Sequence, residues 1–60
     1  MVFMSYTAWL DKMNMVTDKE LTERLLRDCY GRRFAEKRVQ ENHEMYEEFC
    51  EKNNLTPNYN

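Results

Sequence analysis

An all-α bundle is the architecture this sequence specifies, and three observations specify it. The 60 residues contain one Gly and one Pro, poor material for hairpin-rich sheets. Charged residues make up 33 % of the chain and apolar residues 42 %, the mixture of a small helical domain. From Arg32 to Lys52 there is no Gly or Pro, and Ala35, Val39, Tyr46 and Phe49 recur at steps of four and three through Asn42. That spacing draws one seam down one side of a helix. The expected architecture is two short helices and one long C-terminal helix. At this length a folded chain hides only about 60 % of the surface its unfolded form exposes, so completion by antiparallel homodimerisation is expected.

The first helix starts after Ser5, whose side chain can accept an amide hydrogen bond as N-cap. Tyr6, Trp9, Leu10 and Met13 then fall on one face, and the element ends near Asn14. Such a short helix does not persist alone in water and must dock through Trp9, its largest apolar group.

Thr17-Asp18-Lys19-Glu20 opens the second helix as a capping box: Thr17 caps the third helical amide, Glu20 reaches back, and Val16 packs on Leu21. Leu21, Leu25 and Cys29 follow at four-residue steps, Leu26 and Tyr30 widen the face, and Gly31 offers the left-handed residue that closes many helices. Trp9, Leu10, Leu21 and Leu25 are the candidate core or docking residues.

The third helix runs from about Arg32 to Asn53, close to 30 Å at 1.5 Å per residue. A rival reading fuses it to the second, since nothing between Gly31 and its start can cap it. Asp28 and Arg32 would then interrupt the apolar stripe, which favours a joint at Gly31. Residues 1–53 form one helical domain, and residues 54–60, polar and holding the single Pro, read as a flexible tail.

Arg24, Arg27, Arg32, Arg33, Lys37 and Arg38 precede an acidic stretch of Glu41, Glu44, Glu47, Glu48 and Glu51. This order opposes the helix macrodipole, at about 0.3–1 kcal/mol per misplaced charge at low salt. Two long helices lying antiparallel would set the basic end of one on the acidic end of the other. Folding the seam about Asn42 places Ala35 opposite Phe49 and Val39 opposite Tyr46, which makes Ala35, Val39, Asn42, Tyr46 and Phe49 the candidate self-association residues. The competing arrangement packs the same face on the first two helices of its own chain.

The basic stretch, with Phe34 inside it, offers Arg32, Arg33, Lys37 and Arg38 as candidate nucleic-acid contacts. The pI near 5.3 and the adjacent glutamates argue against a dedicated binder of long duplexes. His43, Glu47 and Cys50 share a helical face but supply three ligands without a fourth, so no metal is expected. Cys29 and Cys50 read as small core residues, separated by much of the long helix and out of disulfide reach. One Ser, one His and no glycine-rich phosphate loop give catalysis no foothold, and no motif asks for a cofactor.

The opening Met1-Val2-Phe3-Met4 is shorter than a signal-peptide core and has no basic residue ahead of it. No stretch approaches a membrane span, so a cytoplasmic protein with no membrane partner is expected. Met1, Met4, Met13, Met15 and Met45, with Phe3 and Trp9, could fill a small core or offer a plastic docking patch. The expected function is a non-enzymatic, homodimeric protein-interaction module, an adaptor, inhibitor or regulator of the size that phages and plasmids encode. Nucleic-acid regulation is the alternative.

Overall fold

The computed structural model describes residues 4–59, which fold into α1 (Tyr6–Lys12), α2 (Asp18–Arg27) and α3 (Arg32–Lys52) with no strand among the described residues. Met1 and Phe3, named above for a docking patch, lie outside them. The helix starts follow the capping chemistry of the sequence. Ser5 accepts from the Ala8 amide at 3.2 Å and Thr17 from the Glu20 amide at 3.3 Å. Glu20 does not complete the box: its carboxylate takes Arg24, one turn on, at 2.9 Å.

All three helices end by one device. The residue after each C-cap is left-handed (Asn14, Cys29 and Asn54, φ 60°, 68° and 55°), and the next amide bonds back into the last turn. These bonds run from Met15 to Leu10 (2.8 Å), Tyr30 to Leu25 (2.9 Å) and Leu55 to Cys50 (2.8 Å), the Schellman pattern. The joint between α2 and α3 is therefore real, but Gly31 is not its left-handed residue. Cys29 takes that role, and Gly31 is extended (φ -72°, ψ 162°) at the N-cap of α3, with no side chain to cap it. Cys29 is consequently exposed and is not a core residue.

α3 is the rod on which the rest is laid, and the molecule measures 42 × 17 × 16 Å. The ring contacts of α1 advance along α3 in its own direction: Tyr6 meets His43 and Tyr46, and Trp9 meets Tyr46 and Phe49. α2 returns antiparallel, from Asp18 beside His43 to the stacked Tyr30 and Phe34 rings at the turn. The core sits at the carboxyl half of α3, where Tyr6, Trp9, Leu10, Tyr46 and Cys50 are buried and Met4, Met15, Phe49 and Leu55 pack on them. Trp9 and Leu10 thus belong to the core, whereas Leu21 and Leu25 are half-buried and α2 has no fully buried residue.

Two expectations change here. Ala35, Asn42 and Tyr46 are at most 4 % exposed within a single chain, and Val39 and Phe49 are half-buried. The face read as a self-association seam is covered by the chain's own elements, because folding α1 and α2 back along α3 supplies the apolar cover nearest in sequence. The segment read as a flexible tail is docked. Asn58 accepts from the Tyr6 amide at 2.6 Å and donates its own amide to the Tyr46 hydroxyl at 2.8 Å, while the Tyr59 ring lies against Tyr6, His43 and Tyr46. Leu55 and Tyr59, apolar groups in a polar stretch, anchor it.

Two substitutions test this account. A left-handed conformation costs an L-residue about 1–2 kcal/mol, of which glycine's greater unfolded-state freedom returns about 0.5–1. Cys29→Gly is therefore expected to stabilise the fold by roughly 0.5–1 kcal/mol, and a lowered thermal midpoint would contradict the assignment. Tyr46→Phe removes the hydroxyl that serves Met4 and Asn58 and is expected to cost about 1–3 kcal/mol, read as a lower urea midpoint at unchanged slope.

Candidate interaction surface

Four polar and aromatic side chains close the top of the core. Asp18, the first residue of α2, accepts the Tyr6 hydroxyl at 2.6 Å on one carboxylate oxygen and faces His43 Nε2 at 2.7 Å with the other. His43 is held between the Tyr6 and Tyr59 rings, each centroid 4.8 Å from its own. One carboxylate thus ties together α1, α2 and α3. Sequence reasoning placed His43 with Glu47 and Cys50; the structure separates their duties. Glu47 accepts the Tyr59 hydroxyl, Cys50 is buried in the core, and no group of three or more His, Cys, Asp or Glu among the described residues could hold a metal ion. Asp18 went unnoticed as a junction, since a first-turn acid is already explained by the helix dipole.

The tyrosines of this cluster are held protonated. Tyr6 is pushed well above the ordinary range, chiefly by burial and then by the Asp18 carboxylate. Burial raises Tyr46 too, opposed by the Asn58 amide and reinforced by neighbouring Cys50. Tyr59 is raised by burial first and then by Glu47.

The opposite end is open. Tyr30 and Phe34 stack with centroids 4.7 Å apart and planes 18° apart, yet remain 49 % and 42 % exposed. Arg24 and Arg38 are neutralised locally, by Glu20 at 2.9 Å and Glu41 at 3.1 Å. Arg27, Arg32, Arg33 and Lys37 are exposed and have no ion pair among the described residues. The candidate nucleic-acid contacts therefore divide into three unpaired cations, Arg32, Arg33 and Lys37, and one paired one, Arg38. Indole Nε1 of Trp9 is buried without a hydrogen-bond partner among the described residues. Two shallow grooves flank α3: one of about 180 Å³ between Leu21, Asn42 and Met45, and one of about 370 Å³ between Trp9, Met13, Met45 and Phe49.

No helix among the described residues is long and apolar enough to cross a membrane. No protein-family model matches the chain, and neither a curated protein nor a solved structure matches it.

The raised tyrosines set a pH dependence. Unfolded tyrosines ionise near pH 10, whereas folded Tyr6 and Tyr46 keep their protons higher, so above about pH 10 the folded state binds more protons than the unfolded one. Their contribution is complete below that pH and is lost as pH rises through the folded values, by up to about 1.4 kcal/mol per pH unit for each. Urea unfolding at stepped alkaline pH, followed with tyrosinate absorbance, should show three tyrosines, Tyr6, Tyr46 and Tyr59, ionising only as the chain unfolds.

Proposed function

We propose that this chain is a small protein-interaction module without catalytic activity, which self-associates as an antiparallel homodimer and acts as an adaptor, inhibitor or regulator of another protein. The observation that carries this reading is the incomplete cover of the α2–α3 hairpin. Leu26, Tyr30, Phe34 and Met45 remain 42 %, 49 %, 42 % and 48 % exposed. The stacked Tyr30 and Phe34 rings form a joint apolar surface of the kind that marks contact sites, and aromatic side chains dominate the energetics of such sites.

A second reading, nucleic-acid regulation through Arg32, Arg33, Lys37 and Arg38, draws support from the unpaired cations beside those exposed rings. The acidic residues along the rest of α3 weigh against it, because they repel a phosphate backbone that extends beyond the tip.

Affinity capture from native lysate, with and without nuclease, separates the two. The protein-interaction reading expects a defined protein that survives nuclease and is lost with Tyr30→Ser/Phe34→Ser. The alternative expects nuclease-sensitive retention that weakens steeply with salt and disappears when Arg32, Arg33 and Lys37 become Ala.

A further inference from the structure

α3 carries a second stripe, distinct from the one its own chain covers. Phe34, Arg38, Glu41 and Met45 recur at steps of four, three and four, so they lie on one face over three turns, about 16 Å. Their exposure is substantial: Phe34 42 %, Met45 48 %, and the Arg38 and Glu41 side chains 48 % and 44 %. The order is apolar, cation, anion, apolar. Reversed end to end, that order matches itself, with apolar facing apolar and cation facing anion at every position.

From this self-complementarity we infer that the occupant of this flank is a second copy of the chain, lying antiparallel about a two-fold axis that passes between Arg38 and Glu41. The proposal rests on the self-association reading above and gives it a specific surface. Phe34 of one copy faces Met45 of the other, and Arg38 faces Glu41, each contact occurring twice. The same register brings Tyr30, stacked on Phe34, opposite Phe49. That position borders the groove of about 370 Å³ between Trp9, Met13, Met45 and Phe49, which is open to receive the two rings. The unpaired Arg33 and Lys37, on one flank of this stripe, then lie toward the acidic half of the partner helix, which adds charge complementarity beyond the central pair. A parallel arrangement gives none of this, since it sets cation on cation and anion on anion.

The charge order also supplies a test that dimerisation by itself does not satisfy. Arg38→Glu gives a chain whose central pair is all acidic, and Glu41→Arg a chain whose central pair is all basic. Each alone repels its own copy at two symmetry-related contacts, so its dimer is expected to weaken by at least about tenfold. Mixed in equal amounts the two restore both attractive contacts, and the heterodimer should form at concentrations where each variant alone is monomeric. Native mass spectrometry and sedimentation read this directly. Far-UV circular dichroism and the double variant Arg38→Glu/Glu41→Arg, expected to dimerise by itself, control for folding.

Variants that self-associate as tightly as the original chain, or a mixture without heterodimer, would overturn this surface while leaving a protein-interaction role intact. A strictly monomeric original chain through the micromolar range would also overturn it. Nuclease-resistant capture of a protein partner would then decide the broader reading.

Discussion

The Tyr46 hydroxyl holds this structure together, because Met4, just before α1, and Asn58, after α3, both come to it. It donates to the Met4 carbonyl and accepts the Asn58 amide, while its ring, with no exposed surface, meets Tyr6, Trp9 and Tyr59. α1 has seven residues and cannot persist as an isolated helix. The segment after α3 has no regular structure of its own. Each is ordered by the other through α3, so the aromatic cluster forms as one cooperative unit in which no member is stable without the rest.

That concentration leaves the molecule uneven. Five of the buried residues gather at the carboxyl half of α3, and on the amino half only Ala35 is fully covered outside that cluster's reach. The amino half is met by α2 alone, and a two-helix hairpin has no third layer to close over its leucines. Leu21 and Leu25 stay half-buried for that reason, and the hairpin end is the place where local opening needs the least free energy. Trp9 carries a counterweight at the core end: its ring is buried while Nε1 has no partner among the described residues, so some desolvation cost is set against its packing.

Helix number, the caps at Ser5 and Thr17, the joint near Gly31 and the central place of Trp9 were legible in the sequence, because each is written in local chemistry. What was not legible depended on distance or on competition. The stripe from Ala35 to Phe49 states that a face needs cover, and its spacing is the same whether that cover comes from the same chain or another. Gly31 drew attention as the permissive residue, yet the Schellman register is set by where α2 stops, and it stops at Arg27 because Thr17 fixed its start and Asp28 to Tyr30 turn to the third helix. The tail looked unstructured through its Asn, Thr and Pro content. Leu55 and Tyr59 were the signal that it docks, and their partners Cys50, Glu47 and His43 lie within the third helix just before it. The junction at Asp18 was hidden behind a sufficient local explanation of the same residue.

The charge layout of α3 remains unanswered by the chain's own fold. Folding α2 back antiparallel brings Arg27 to the same end as Arg32, Arg33 and Lys37, so the hairpin gathers like charges where an ion-paired arrangement was available in principle. The arrangement is tolerable because the adjacent ends of α2 and α3 carry opposite dipole charges that largely cancel, and because exposed cations are screened over about 8 Å at physiological salt. Tolerable is not stabilising, and nothing within the described residues neutralises those four cations. Meanwhile Glu44 and Glu51, on the far half of the same helix, have no ion pair with a described cation. One rod with unneutralised cations at one end, unneutralised anions at the other and an apolar residue beside each presents the same attractive pattern from both directions, which is the pattern the proposed antiparallel pairing would satisfy.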